Sequence, residues 1–248
     1  MGNAINKLVY HPPQPPTYAH ESSDLDIVWL TTRLGNDIPV TFTRNERAPL
    51  TVLYSHGNAE DLGIATDWAR EFSRKCNVSV LCLEYAGYGL SSGKPSEANT
   101  YADIEAAYEY LTKGQGIDAS DIVLYGRSLG SGPTSHLASM YPEAFRGVIL
   151  HSPLASAFRV AMPTRWTMPG DMYANIDKLG AVMVPVFIMH GTEDEVVPFK
   201  AGKALHRILQ RPHKPWWVEG AGHNNIEYSW RADYFNNVRS FLRTLEAA

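Results

Sequence analysis

Ile122-Val123-Leu124-Tyr125-Gly126-Arg127-Ser128-Leu129-Gly130-Ser131-Gly132-Pro133-Thr134 runs from an unbroken apolar stretch into a glycine-flanked serine, then into a helical pattern that continues to Met140. A strand, a sharp turn and a helix in that order lift a serine hydroxyl above the carboxyl ends of a parallel sheet. Alone, the pattern Gly126-Arg127-Ser128-Leu129-Gly130 is weak, because glycine makes up about 7% of average sequence and such a match arises by chance. The flanking strand and helix give it weight and make Ser128 the candidate nucleophile.

Outward from this stretch, short continuous apolar runs recur at residues 50–54, 78–83, 147–150 and 184–189, with 216–218 as a last strand. Continuous rather than alternating apolar character is what a strand covered on both faces requires. Between them lie helical patterns: Leu62, Ala65, Trp68, Ala69, Phe72 and Cys76; then Tyr101, Ile104, Ala107, Tyr108 and Leu111 behind a capping pair of Thr100 and Asp103; and at the end Trp230, Tyr234, Val238, Phe241 and Leu245. A hairpin over 25–32 and 37–44, turning at Gly35-Asn36, comes first. Strands alternating with helices predict an α/β class fold: one domain over 24–248 with a mostly parallel, doubly wound sheet. Residues 152–183, rich in Met and Pro and too long for a simple connection, predict a short cap between two late strands. Before the domain, residues 1–23 include His11-Pro12-Pro13-Gln14-Pro15-Pro16-Thr17 and predict an extended, proline-rich segment.

Composition narrows the function. Lys plus Arg is 22 and Asp plus Glu 26, a net charge of −4, and the pI is about 6.1, so no overall basic footprint invites nucleic acid. Two cysteines, Cys76 and Cys82, read as reduced thiols rather than a disulfide framework. The longest apolar run, residues 181–189, falls far short of the roughly twenty residues that span a bilayer. No apolar segment of a secretory signal follows Met1. The glycine-rich Glu84-Tyr85-Ala86-Gly87-Tyr88-Gly89 lacks dinucleotide spacing, and no His, Cys, Asp and Glu cluster has metal-ligand spacing. The expectation is chemistry without metal or cofactor.

A serine hydroxyl needs a base, itself oriented by an acid. After the run at 184–189 come Glu193, Asp194 and Glu195; Asp194, at the tip of the turn leaving the strand, is the candidate acid, and the other two read as solvated loop charge. His223, on Gly220-Ala221-Gly222-His223 beyond the last strand, is the candidate base. Donors to a developing oxyanion are expected from the main-chain amide of Leu129 and from the loop Ser55-His56-Gly57-Asn58, through Asn58 or else Ala59. His56 reads as a brace for that loop, and His151 and His190 as structural.

Leu53-Tyr54-Ser55-His56-Gly57-Asn58-Ala59-Glu60-Asp61-Leu62-Gly63 and Tyr125 to Pro133 resemble the alpha/beta-hydrolase domain-containing protein 17 family. So do His151-Ser152-Pro153-Leu154, His190-Gly191-Thr192-Glu193-Asp194-Glu195-Val196 and Trp217-Val218-Glu219-Gly220-Ala221-Gly222-His223-Asn224, in order over nearly the whole chain. The resemblance implies a serine hydrolase that removes palmitate from cysteines of membrane-associated proteins, with Ser128, Asp194 and His223 as nucleophile, acid and base. It implies work at the cytosolic surface of the plasma or endosomal membrane, with S-acylated proteins as substrates. An esterase or lipase acting on small esters or lipids, and a non-catalytic binding module on the same fold, are the rivals. One departure stands out: the family's animal members carry an N-terminal cysteine cluster, whereas no cysteine precedes Cys76 here. Instead Met1-Gly2-Asn3-Ala4-Ile5-Asn6 approaches a myristoylation signal, with Asn6 where Ser or Thr is preferred, and makes Gly2 the candidate lipidation site. Lys7 is the lone Lys or Arg before Arg33, so no polybasic run accompanies it. Val160, Met162, Trp166 and Met168 of the cap are candidates for contact with lipid or an acyl chain, or simply pack over the pocket.

Overall fold

The structure is a computed structural model that describes residues 9–19, 25–162 and 166–247. Two compact units make up the chain, Met1–Ile122 and Val123–Ala248.

In the first unit, β1 (Ile27–Thr31) and β2 (Asp37–Thr43) form the expected hairpin, and β3 (Thr51–Ser55) and β4 (Ser79–Leu83) complete the order β1-β2-β4-β3. β2 runs antiparallel to β1 and β4, while β3 and β4 are parallel, with Leu53 opposite Leu81. All residues of β3 and β4 are buried, which is why these runs are mostly apolar instead of alternating. Helix α1 (Leu62–Cys76) starts where the Asp61 carboxylate accepts the amides of Gly63 and Ile64, and ends at Asn77 in the left-handed region. Its apolar face buries Leu62, Ala65, Ala69 and Phe72.

Helix α2 (Glu97–Glu109) corrects one expectation. Its cap is Ser96, whose hydroxyl accepts the Asn99 amide, so Thr100 and Asp103 lie inside the helix. The reason is local competition: Thr100 bonds back to the Glu97 carbonyl, and buried Asp103 accepts the amide of Ala86.

The described part of the proline-rich segment is fastened down. The His11 amide donates to Asn58 Oδ1 (2.9 Å), Asn58 Nδ2 donates to the Val9 carbonyl (2.6 Å), and the Thr17 amide donates to Asp61 (2.7 Å). Tyr18 hydroxyl donates to Glu84 (3.0 Å), and Tyr10 and Tyr18 are buried. An extended segment with no internal hydrogen bonds leaves its polar groups free for such partners.

In the second unit β5 (Ile122–Arg127), β6 (Gly147–His151), β7 (Val186–Gly191) and β8 (Trp216–Val218) stand side by side in that order, all parallel. The helices are α3 (Ser131–Met140), α4 (Ala157–Ala161), α5 (Lys200–Ile208), α6 (Ile226–Ser229) and α7 (Arg231–Glu246). α7 buries Tyr234, Val238, Phe241 and Leu245 at the spacing read from the sequence, and Leu245 and Phe241 reach Gly147 of β6. Each such side chain contributes about 1.5–3 kcal/mol on full burial.

The stretch 152–183 carries α4 and two short turns, Asn175–Asp177 and Leu179–Ala181. Its inner side is anchored: Ser131 Oγ accepts the Leu154 amide and Asn175 Nδ2 (both 3.2 Å), and Tyr173 packs on Gly132. Met162, Trp166 and Met168 are exposed, Trp166 by 78%.

Candidate active site

The site is built on the carboxyl ends of β5, β7 and β8. β5 runs directly into a single turn, Ser128–Gly130, that leads into α3, and Ser128 sits at φ 51°, in the left-handed region. A β-substituted residue held there is strained by about 1–3 kcal/mol, and the surroundings must enforce it. They do: a Cβ on Gly126 would stand 2.6 Å from the Gly130 carbonyl and 2.6 Å from Thr134 Oγ1, so the strand and helix approach closely only because position 126 is glycine. Ser131 Oγ closes the turn by donating to the Ser128 carbonyl (2.6 Å).

His223 follows β8, and its Nε2 lies 2.9 Å from Ser128 Oγ, while its Nδ1 lies 2.7 Å from Asp194 Oδ2. With Nδ1–H donating to the carboxylate, Nε2 is left to accept the serine proton. Gly191 makes the meeting possible, since a Cβ there would collide with the Ala221 carbonyl where the two loops cross. Ser128 and His223 are buried, and the Asp194 side chain is fully so. Burial pushes the Asp194 carboxyl up, but hydrogen bonds from His190 and His223 and from the amide of Val197 outweigh it and hold the group well below the carboxylate range. Asp194 is therefore ionised.

Around this trio are residues that the sequence reading assigned other roles or passed over. His190 Nε2 lies 3.1 Å from Asp194 Oδ2 and 2.9 Å from the Val197 carbonyl, so its N–H faces two acceptors; its Nδ1 is buried without a partner. Asp194 Oδ1 accepts the amides of Val196 (3.0 Å) and Val197 (2.7 Å). Glu195, read as solvated charge, is exposed and also accepts the His223 amide (3.2 Å), because the turn brings the His223 main chain over it. Glu193 is exposed. Arg127, the last residue of β5, donates from Nη2 to Asn224 Oδ1 (2.9 Å), and its Nε is 3.7 Å from Glu227, tying the serine strand to the histidine loop. His151 lies 3.5 Å from Glu227 and 3.3 Å from the Tyr125 hydroxyl; burial lowers its pKa despite Glu227, so it is neutral. The four-residue step from His190 to Asp194 across a turn was the available signal for the first of these. Nothing in spacing announces the Arg127 and Asn224 contact.

The Leu129 amide follows the nucleophile directly within the turn. Asn58 belongs to the first unit, on the loop after β3, where Tyr88 hydroxyl also donates to its Oδ1 (2.6 Å), so its side chain is engaged. In that loop His56 Nδ1 donates to the Gly57 carbonyl (2.8 Å) and Nε2 to Glu84 (2.9 Å). Burial opposes charge on His56, but Glu84 outweighs it and raises the pKa. Gly2 lies outside the described residues. Among the described residues, no three His, Cys, Asp or Glu side chains gather as metal ligands, and no helix is long and apolar enough to cross a membrane.

Comparison with known proteins follows the same lines. A family profile described as alpha/beta hydrolase fold matches residues 51–178. The human alpha/beta hydrolase domain-containing protein 17B is 43% identical over 226 residues, covering 90% of this chain and 77% of that protein. The mouse protein 17C is 47% identical over 224 residues, covering 90% and 69%. Among solved structures, the Pyrococcus furiosus esterase Pf2001 superposes with a TM-score of 0.75 at 16% identity over 95% of this chain and 98% of that one. Est1E from Butyrivibrio proteoclasticus, solved with ferulic acid bound, gives 0.73 at 19% identity over 89% and 100%. At such identities these two similarities speak for the fold.

Proposed function

Since the chain belongs to the alpha/beta hydrolase domain-containing protein 17 family, and so is a hydrolase of the α/β class, we propose that it is a serine acyl hydrolase acting on S-acylated, membrane-associated proteins. The observation that carries this reading is the contact of Ser128 with His223 (2.9 Å) and of His223 with Asp194 (2.7 Å), with the serine held on a strained turn. In the proposed reaction Ser128 Oγ bonds to the thioester carbonyl carbon as its proton passes to His223 Nε2. The amide of Leu129 donates to the oxyanion, and Asn58 is kept as the second proposed donor through its main chain. The carbon–sulfur bond then breaks, and His223 returns the proton to the departing thiol. Water, deprotonated by His223, releases the fatty acid and restores Ser128. Asp194 remains ionised throughout and stabilises the imidazolium.

No step calls for a metal or cofactor. The work is proposed for the cytosolic face of the plasma or endosomal membrane, with Gly2 as a site of myristoylation that intact-mass measurement on protein from its native cell would reveal. The test of the chemistry is twofold. Ser128→Ala should abolish labelling by an active-serine phosphonate, and persistent labelling would sink the assignment. The parent protein should turn over a palmitoyl-cysteine peptide in preference to short oxygen esters; the opposite preference would make it an esterase or lipase, and no turnover of either would make it a binding module.

A further inference from the structure

Away from the serine site, the loop after β2 and the exposed side of α1 bring together residues that the sequence keeps apart. Thr43, Arg44, Asn45, Glu46 and Arg47 face Arg70, Ser73 and Arg74 across an open recess of about 570 Å³. Its lining holds four arginines against one carboxylate, in a chain whose net charge is −4. The loop is pinned in place: the Asn45 amide donates to Ser79 Oγ (3.0 Å), and Asn45 Nδ2 donates to Asn77 (3.1 Å) at the end of α1. Arg44, Arg47 and Arg74 are exposed, and among the described residues none has a carboxylate within 4.0 Å. Arg44 lies over the Phe42 ring (4.9 Å) and donates to Gln115, which orients the guanidinium without neutralising it. Arg70 meets Asp67 (3.2 Å), itself 80% exposed.

Helix ends explain part of this. Cations in a last turn complement the carbonyl ends of a helix, and that accounts for Arg74 and its neighbour Lys75. It does not account for Arg44 and Arg47 on the facing loop. Guanidinium groups are planar, weakly hydrated and matched to phosphate oxygens. We propose that this recess in the first unit is a binding site for the phosphate headgroups of an anionic lipid surface. A nucleic-acid strand would need a longer basic track with stacking aromatics, and the lining offers neither. A free phosphate ion would need buried donors to replace its water, whereas these arginines stand in solvent. A surface presenting many phosphates at once suits several exposed, separately weak cations.

The inference is independent of the catalytic reading, so the test uses the full chain carrying Ser128→Ala, in which catalysis plays no part. Co-sedimentation is measured with vesicles of phosphatidylcholine alone and of phosphatidylcholine containing phosphatidylserine. Binding is expected with the anionic vesicles and is expected to fall as salt rises. Each basic residue near such a surface contributes about fivefold, so Arg47→Gln with Arg74→Gln should weaken partitioning roughly 25-fold. Glu46→Gln, which removes the one carboxylate of the lining, should strengthen it about fivefold and guards against misfolding as the cause of loss. Equal binding to both vesicle types, no binding to either, or arginine variants within twofold of the parent would overturn the proposal. Displacement by inorganic phosphate without loss of salt dependence would reassign the recess to a free anion.

Discussion

Replacing His190 by phenylalanine removes the N–H that faces both Asp194 Oδ2 (3.1 Å) and the Val197 carbonyl (2.9 Å) while keeping a flat ring in a fully buried position. A hydrogen bond to a charged group contributes about 1.5–3 kcal/mol. His223 Nδ1 and the amides of Val196 and Val197 still hold the carboxylate, so the lower end of that range applies. At 1.36 kcal/mol per factor of ten, kcat/KM should fall roughly 10- to 30-fold. The loss should appear in kcat with KM little changed, because Asp194 loses a hydrogen bond that fixes its carboxylate against His223. A second signature separates this from a packing defect. With one donor gone, negative charge concentrates on Asp194 and attracts the His223 proton more strongly, so the acid limb of the kcat/KM profile should move to higher pH. His190→Gln, whose amide nitrogen reaches the same place, should recover most of the activity and return the limb. The assay is steady-state hydrolysis of an acyl thioester from pH 5 to 9, with phosphonate labelling as the check that Ser128 is in place. Activity of His190→Phe within twofold of the parent, on an unmoved profile, would refute the reasoning.

Other outcomes follow from the described geometry. Gly126→Ala, whose methyl would press on the Gly130 carbonyl at 2.6 Å, should lower stability by about 1–3 kcal/mol in denaturant melts and slow phosphonate labelling of Ser128. Ser131→Ala leaves the Leu154 amide and Asn175 Nδ2 without a shared acceptor and should cost about 1–3 kcal/mol, with amide exchange rising first around residues 154 and 175. Burial pushes the Asp103 carboxyl up to about 8, against the Ala86 amide that lowers it and with Glu84 adding to the rise. The folded state then binds a proton that the unfolded chain has lost, so stability falls as pH rises from about 4 to 8. Asp103→Asn should flatten that slope, and its thermal midpoint should gain on the parent as pH increases; parallel pH curves would contradict it.

What could be read from the residues was whatever their spacing encodes. Among the described residues the strands lie within two residues of the apolar runs and hairpin pattern, because β3 to β7, buried at every position, must be largely apolar. Ser128, Asp194 and His223 were legible because each stands beside a glycine-bearing turn after a strand, and such turns concentrate at strand ends. Less visible is α5 (Lys200–Ile208), nine residues in which two of the three buried positions, Ala201 and Gly202, are small. The start of α2 is ambiguous in the sequence because Ser96 and Thr100 are both residue types that cap helices, and a buried partner for Asp103 decides between them. Side-chain partnerships across loops were the hardest. Glu195 under the His223 amide and Arg127 on Asn224 arise where chain segments cross, and no local regularity records that.

The fastening of Val9, His11, Thr17 and Tyr18 to the first unit sets a length as well as a position. From Gly2 to the first of these anchor points, a fully extended chain reaches at most about 25 Å. An acyl chain on Gly2 would thus act through a short leash. Were the proline-rich segment loose, the leash would lengthen by every residue released, and the same lipid would sweep the protein through a far larger volume. Tyr18 and Glu84, a phenol and a carboxylate far from any lipid in the chain, would then help determine how closely the enzyme is held to its surface.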